Sequence, residues 1–205
     1  MLQFLQPNKF MVSRMRYSST HKQETREKLL SSSRAIAKKG GFESTGVDAL
    51  MKAIGLTGGA FYSHFDSKAE LFAAVIEQEL ANSSEMLAGE ETDEDHFVKR
   101  IRGYLSSAHA LHPETGCALP TLGAEIARAD PAVRATVEQS AKKLQGSWKE
   151  RLDDQDAAWA LLAQCVGAIL LARVVESDRT RQQILASSRR FLGKSIEQLA
   201  PLSKT

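Results

Sequence analysis

Apolar residues recur every three or four positions along almost the whole chain from residue 24 onward, which is the spacing of one face of an α-helix. No alternating run rich in Val, Ile and Thr is long enough to indicate a strand. The sequence therefore predicts an all-α fold. The predicted helices span about 24–39, 47–54, 57–64, 67–80, 93–111, 117–129, 131–151, 155–176 and 179–199.

Short polar and glycine signals define the first helices. Thr45 and Asp48, and then Ser67 and Glu70, have the spacing of capping boxes. Between them, Gly55-Leu56-Thr57 predicts a left-handed stop at Gly55, a corner plugged by Leu56 and a helix cap at Thr57. Gly40-Gly41 ends the first helix, and Phe42 is expected to pack under it.

One stretch is apolar enough to resemble a membrane span. Ala157 to Val175 is about the required length, but it contains Gln164 and Arg173, and acidic residues precede it. We interpret it as a buried helix and expect no membrane association. The chain also has no apolar core of a secretory signal near its start.

The 205 residues are 42% hydrophobic and 25% charged, which excludes collagen, low-complexity disorder and a disulfide scaffold. Cys117 and Cys165 form no C-x-x-C pair, which suits a reducing cytoplasm. Residues 1–70 hold 11 Lys and Arg against 6 Asp and Glu, whereas the remainder holds 16 against 19. A basic first third on a near-neutral body is typical of a nucleic-acid headpiece carried by another domain.

The two short helices around Gly55-Leu56-Thr57 form a helix-turn-helix pattern. Gly58, Gly59 and Ala60 open the second helix with small side chains, which we interpret as allowing close approach to phosphates or base edges. Phosphate contacts are also expected from four polar side chains, namely Thr57, Tyr62, His64 and Lys68. Phe61 and Phe65 are expected to face the core.

Residues 24–72 resemble the tetracycline-repressor (TetR) family of bacterial transcription regulators. The resemblance rests on Gly41-Phe42, Ser44-Thr45 and the run from Gly55-Leu56-Thr57 through His64-Phe65 to Leu71-Phe72. It implies a three-helix DNA-binding headpiece, a helical ligand-binding body, homodimerisation through the last two long helices, and repression relieved by a small ligand. The expected division is an N-terminal extension at 1–23, a headpiece at 24–70 and a body at 71–205.

Carried over by position, the resemblance implies DNA-contacting roles for Thr57, Gly59, Ala60, Tyr62, His64 and Lys68, with Thr45 as the preceding capping threonine. Gly58 departs from the family pattern, which often has a polar or basic side chain there. A base contact from that position is therefore in doubt, although Gly58 remains within the predicted surface. Lys52 or DNA shape is the expected substitute.

In the body, apolar and aromatic side chains are candidates for an effector pocket. These candidates are Phe97, Tyr104, Cys117, Leu122 and Trp148. Cys117 as a redox switch, and His109 and His112 with Glu114 and Cys117 as a metal sensor, are less favoured alternatives; no metal site or cofactor is predicted. Aromatic side chains at helical spacing are more often plain core than pocket lining, and that interpretation stays open for these residues.

The last two helices carry more apolar surface than a surface helix needs, which favours a four-helix dimer seam over a purely intramolecular core. The predicted seam comprises Trp159, Leu162, Val166, Ile169, Leu170, Ile184, Phe191 and Leu192. No catalytic or nucleotide-binding motif is present, so an enzyme is not expected. The predicted function is a ligand-responsive homodimeric repressor of a palindromic double-stranded operator, and the alternatives are an activator or a ligand-binding protein without operator specificity.

Overall fold

The computed structural model describes residues 19–39, 42–88 and 94–199. Within these ranges the chain forms nine α-helices, two short 3-10 segments and no strand, so the all-α prediction is confirmed. The 3-10 segments are Gly58–Ser63 and Pro113–Thr115. The helices are α1 Ser19–Lys38, α2 Val47–Lys52, α3 Lys68–Ala88, α4 Glu94–Tyr104, α5 Ser107–Leu111, α6 Leu119–Arg128, α7 Pro131–Leu152, α8 Gln155–Val174 and α9 Asp178–Leu199.

The largest differences from the predicted helix boundaries are three. α1 begins five residues earlier than expected, α3 ends at Ala88 rather than near residue 80, and the helix predicted over 93–111 is two helices. Ser106 has extended backbone, with ψ 157°, and its hydroxyl accepts a hydrogen bond from the His109 N–H at 3.2 Å. This cap starts α5 in a new direction. The Gly40-Gly41 stop lies outside the described residues.

The local signals of the headpiece are partly confirmed. Gly55 has φ 77°, the left-handed conformation predicted for the turn. Ser67 caps α3 by accepting from the Glu70 N–H at 3.0 Å, while the Glu70 carboxylate accepts from the Asp66 N–H at 2.6 Å. These bonds fix the start of the long helix that joins headpiece and body.

Three local predictions are wrong. The N-cap of α2 is Gly46, one residue after the predicted Thr45. Leu56 does not plug the corner, because 38% of its surface is exposed. The second helix of the motif is a 3-10 segment, and the two adjacent glycines at its start disfavour an α-helix there. Thr57 occupies its N-cap, without a side-chain cap bond.

The chain has two hydrophobic cores. One is built from α1, α2, the 3-10 segment and the first half of α3, with Phe42 stacked on Phe72 at 5.0 Å. This core also contains Leu122 and Ile126 from α6, so it extends past the boundary predicted at residue 70. The second core is formed by α4, α5, α7, α8 and α9 around the fully buried Trp148.

α8 is only half buried, which corrects the interpretation of Ala157 to Val175 as a buried helix. Among the described helices it alone is long and apolar enough to cross a membrane. One face, including Leu161, Cys165 and Ile169, lies in the body core. The opposite face exposes Leu170, Leu171 and Val174. α9 packs beside it and exposes Phe191.

A buried ion network joins α1 to α3. The Glu79 carboxylate is 1% exposed and pairs with Arg34 at 2.5 Å and with Lys38. The Lys38 ammonium also donates to the backbone carbonyls of Gly116 at 2.9 Å and Glu114 at 3.3 Å. Because these carbonyls precede α6, Lys38 ties the end of α1 to the body as well as to α3.

Replacing Glu79 with Gln should lower the free energy of unfolding by about 3 kcal/mol, because it leaves the buried Lys38 charge without its counter-ion. Urea denaturation of the purified chain measures this change. The matched control is Glu138→Gln, which removes an exposed glutamate paired with Lys142 and should leave the midpoint unchanged.

A double variant separates the charge effect from a packing effect. Lys38→Met combined with Glu79→Leu removes both charges and should recover most of the stability lost in Glu79→Gln. Equal midpoints for Glu79→Gln and the wild type would show that the network does not stabilise the fold.

Candidate DNA-binding surface and body core

The DNA-binding motif consists of α2, the turn at Gly55 and the 3-10 segment Gly58–Ser63, which packs against α2. The turn is closed by the Leu56 N–H, which donates to the Met51 carbonyl at 3.0 Å. Phe61 and Phe65 are buried, as predicted, and hold the segment on the headpiece core. The opposite side of the segment therefore faces outward.

The predicted DNA-contacting residues differ in how accessible they are. Lys52, Thr57, Gly59 and Tyr62 are exposed, and Tyr62 has the largest exposed fraction of the aromatic side chains here, at 66%. The others are partly buried, namely Thr45, Gly58, Ala60, His64 and Lys68. The exposed members lie at the end of α2, at the cap before the 3-10 segment and along that segment, and together they form the outward surface of the motif.

Lys68 is directed toward the body junction. Its ammonium donates to the Glu43 carbonyl at 2.7 Å and lies 5.2 Å from the centre of the Phe42 ring. The Lys68 ammonium therefore already donates one hydrogen bond within the chain. Its predicted role at DNA phosphates stays a prediction.

Different structural features account for glycine at position 58 and at position 59. A Cβ at Gly58 would lie 1.7 Å from Oδ1 of Asp48, so the nearby carboxylate of α2 requires a glycine or a displaced aspartate. This contact is a packing reason for glycine at position 58, and its predicted close approach to DNA stays a prediction. At Gly59 a Cβ would meet no atom within 4 Å. Internal packing therefore leaves Gly59 unexplained, and close approach from outside remains its predicted role.

Positive charge surrounds His64. Burial lowers the pKa of its imidazole, and the nearby charges of Lys22, Arg26 and His21 lower it further. The Arg26 guanidinium lies 4.5 Å from the centre of the Phe65 ring, which places it beside the 3-10 segment. α1 thus contributes basic groups next to the motif, and a surface of this charge attracts phosphates.

Comparison with known proteins agrees with this geometry. Residues 29–75 match the family model for bacterial regulatory proteins of the tetR family. An uncharacterised helix-turn-helix transcriptional regulator of Lactococcus lactis is 26% identical over 166 residues, covering 74% of this chain and 85% of the relative. The segment that carries the helix-turn-helix thus matches the TetR family, and these findings support a TetR-family transcriptional regulator.

Solved TetR-family structures share the fold over most of the chain. A regulator from Pectobacterium atrosepticum is 26% identical with a TM-score of 0.61, covering 90% of this chain and 98% of that one. A regulator from Chloroflexus aurantiacus is 24% identical with a TM-score of 0.72, covering 88% and 98%. The TetR family consists of DNA-binding transcriptional regulators, which are not enzymes.

The predicted effector residues of this TetR-family chain are divided between the two cores. Phe97, Tyr104, Cys117 and Trp148 share the body core, where the Phe97 and Trp148 rings meet edge to face at 5.5 Å. Leu122 does not join them, because α6 turns it into the headpiece core. The residues that do meet are tightly packed around one another. Tyr104 Oη and Trp148 Nε1 are buried without a hydrogen-bond partner among the described residues.

The His109 ring forms hydrogen bonds that connect separate segments at the centre of the body. Its Nδ1–H donates to the Tyr104 carbonyl at 2.6 Å, and its Nε2 accepts from the Cys117 N–H at 2.9 Å. Arg173 of α8 donates to the His109 carbonyl at 3.0 Å and to the Thr121 hydroxyl of α6. α5, α6 and α8 are therefore tied together through one imidazole and one guanidinium.

This geometry disfavours the metal and redox alternatives. Both ring nitrogens of His109 are hydrogen-bonded, and no group of three potential ligands suited to a metal occurs in the part of the chain that the structure describes. Both cysteines are buried, and burial raises the pKa of Cys165 to about 12, with the Cys117 thiol as a lesser cause. Oxidants react with accessible thiolates, so neither thiol is placed for that chemistry.

Sequence reasoning missed the polar residues that connect the elements. Glu79 and Lys38 lie 41 positions apart, and Asp48 meets Gly58 only through the packing of α2 on the 3-10 segment. One signal was available: Glu79 falls on the apolar face of α3, three and four residues after Ile76 and Val75. A charge in that position predicts a buried partner.

The buried imidazole predicts a pH dependence of stability. Burial is the main cause that lowers the pKa of His109, so the folded chain resists protonation that the unfolded chain accepts below about pH 6.5. The free energy of unfolding should therefore fall as the pH decreases from about 7.5 to about 5.5. His64 acts in the same direction.

His109→Gln should reduce this pH dependence, because it removes the titrating group while retaining hydrogen-bonding atoms. Urea unfolding at the two pH values gives the comparison, with the exposed His112→Gln as the control that keeps the wild-type dependence. An unchanged pH dependence in His109→Gln would count against His109 as the buried neutral group.

Proposed function

We propose that the chain is a cytoplasmic, ligand-responsive homodimer that represses transcription by binding a palindromic double-stranded operator. The observation that supports it most strongly is the surface at Gly59 and Tyr62. A small residue with open space beside it adjoins a largely exposed aromatic side chain, on a segment whose other side is fixed to the core. Internal packing requires neither feature, whereas contact with a DNA groove accounts for both.

Basic groups beside the motif supply the attraction to phosphates. Lys52 ends α2, and Lys22 and Arg26 of α1 lie close enough to His64 to lower its pKa. Such contacts position a protein on DNA without reading sequence. Thr57 and Tyr62 add exposed hydroxyl groups at the start and middle of the 3-10 segment, and these can reach phosphates or base edges.

The exposed apolar face of α8 and α9 supports homodimerisation. Trp159, Leu170 and Phe191 from the predicted seam are exposed there, together with Leu171 and Val174. A patch of large apolar side chains on two adjacent helices marks an association surface. Three residues of the predicted seam are excluded from the proposed one because they are buried within one chain, namely Leu162, Ile169 and Leu192. Two more are partly buried at the edge of the seam, namely Val166 and Ile184.

The buried donors of the body support a small-molecule effector. Tyr104 Oη and Trp148 Nε1 lack partners among the residues described, and burying a donor without an acceptor is costly. An effector carrying acceptor oxygens and an apolar part would satisfy them, after a rearrangement of the packed aromatic side chains. Its effect on DNA binding is limited to its difference in affinity between the two arrangements.

A continuous set of hydrogen bonds leads from this region to the headpiece. Arg173 bonds to the His109 carbonyl, and the His109 ring bonds to the Cys117 N–H. The preceding Gly116 carbonyl accepts from Lys38 at the end of α1. Displacement of Tyr104 or His109 by an effector would therefore shift the segment that holds α1.

The alternative of a ligand-binding protein without operator specificity rests on the pair Gly58-Gly59. Asp48 accounts for Gly58, which weakens that alternative. Nothing in the described residues favours activation over repression, and repression is proposed on the family resemblance.

Gly59→Ala should lower affinity for the operator at least about tenfold, because the added methyl group keeps the segment from the groove. Its stability should be unchanged, since the methyl meets no atom within 4 Å of the chain. Footprinting of the DNA upstream of the chain's own gene identifies the protected duplex, and fluorescence anisotropy on that duplex measures the affinity. Gly123→Ala, an exposed α6 glycine with equally open space, is the control that should retain wild-type binding.

The variant Tyr62→Ala, measured in the same assay, should also abolish specific binding. Its fold should stay intact, because the Tyr62 ring is exposed. Wild-type affinity in both Gly59→Ala and Tyr62→Ala would contradict the proposed surface.

Phe191→Asp should convert a dimer to a monomer, because it places a charge in the proposed seam where 62% of the phenyl surface is exposed. Light scattering after size-exclusion chromatography measures the mass. The control is Leu111→Asp, which alters an exposed leucine of α5 outside the proposed seam and should leave the dimer intact. A monomeric wild type, or a dimeric Phe191→Asp, would contradict the proposed seam.

A further inference from the structure

The side chain of Asp48 occupies the space in which a side chain at position 58 would begin. A Cβ at Gly58 would lie 1.7 Å from Asp48 Oδ1 and 2.9 Å from Asp48 Cγ, whereas the Asp48 Cα would be 3.5 Å away, an ordinary contact. The conflict is therefore with the carboxylate group and not with the backbone of α2. At the start of the 3-10 segment, a carboxylate from α2 stands where residue 58 has no side chain of its own.

This carboxylate belongs to the outward surface of the motif. Asp48 is exposed in the first turn of α2, and Thr57 and Gly59, on either side of Gly58, are exposed as well. Lys52 follows Asp48 by four positions, so the two side chains lie on the same face of α2. Asp48 is therefore surrounded by residues that are predicted to meet DNA.

A negative charge on this surface opposes the attraction to phosphates. Basic groups border the motif, namely Lys22 and Arg26 of α1 beside His64, and Lys52 at the end of α2. A carboxylate that is brought against DNA loses water, so it weakens binding wherever no hydrogen-bond donor meets it. It favours only those complexes in which a donor lies opposite, and such a difference between sequences is specificity.

The base edges of the major groove differ in the donors that they offer to a carboxylate. Cytosine presents its N4 amino group as a donor, whereas adenine presents its N6 amino group beside the N7 acceptor. Guanine and thymine present acceptors, and thymine adds a methyl group. Because a carboxylate has acceptor atoms only, cytosine is the base that it favours.

We propose that Asp48 determines specificity by accepting a hydrogen bond from the N4 amino group of one cytosine in each half-site of the operator. Gly58 supports this role by leaving open the space in which the carboxylate lies. The inference rests on the proposed operator binding, to which it adds one base of the half-site and the residue that reads it.

Selection of bound sequences from a random duplex library, with the full-length chain and its variants, tests the inference. The wild type should enrich half-sites with cytosine at one position that depends on Asp48. Asp48→Ala should reduce the preference at that position at least about fivefold and keep the preferences elsewhere. Asp48→Asn should shift the same position toward adenine, because an amide pairs with both N6 and N7 of that base.

Gly58→Ala is a second test that leaves the carboxylate in the chain. The added methyl group displaces the Asp48 side chain, so this variant should relax the same base position as Asp48→Ala. The control is Glu77→Ala, which removes an exposed carboxylate from α3 outside the motif and should retain the wild-type preferences.

Two results would overturn the inference while leaving operator binding intact. One is an Asp48→Ala protein whose preferences match the wild type at every position, or change only where the wild type selects a base other than cytosine. The other is a uniform loss of affinity for all sequences in Asp48→Ala, Asp48→Asn and Gly58→Ala, which would show that the carboxylate supports the motif and reads no base. If the wild type enriches no sequence, the proposed function itself fails, and this inference fails with it.

Discussion

The buried carboxylate of Glu79 is the constraint on which the arrangement of headpiece and body depends. A carboxylate with 1% exposure requires counter-charges, and Arg34 and Lys38 on successive turns of α1 supply them. Lys38 then extends the network to the Gly116 carbonyl ahead of α6. One charged cluster thus fixes α1 against the helix that enters the body and against the segment that leads into α6.

This constraint gives the DNA-binding motif a defined position. The motif packs on α1 and α3 through Phe61 and Phe65, and the headpiece core continues into α6 through Leu122 and Ile126. The headpiece is therefore not an independent unit on a flexible joint. A change in the body that moves the Gly116 segment would move the outward surface at Gly59 and Tyr62 with it.

The sequence predicted those features that depend on neighbours along the chain. Helical periodicity located the long helices, Pro131 marked the start of α7, and Gly55 marked the turn of the motif. Periodicity failed at Ser106, because a single capping residue inside an apolar pattern does not interrupt the pattern. It also failed to separate the two faces of α8, where almost every residue is apolar and only packing decides which of them are buried.

The same distinction between local and long-range contacts applies to the candidate site. The motif residues were predictable because a helix-turn-helix is a local structure with its own turn chemistry. The contacts between Asp48 and Gly58, and among His109, Cys117 and Arg173, depend on how helices distant in sequence meet. Leu122 illustrates the difference: its apolar character predicted burial correctly, while the direction of α6 decided which core received it.

In the proposed homodimer, a firmly held headpiece would present two DNA-binding motifs at one fixed separation. Selection of bound sequences from a random duplex library tests this most directly, because the selection requires no assumed operator. The predicted result is enrichment of two inverted half-sites at one fixed spacing, with centres about 34 Å apart or a multiple of that distance. Enrichment of single half-sites, of half-sites at variable spacing, or of no sequence at all would contradict it.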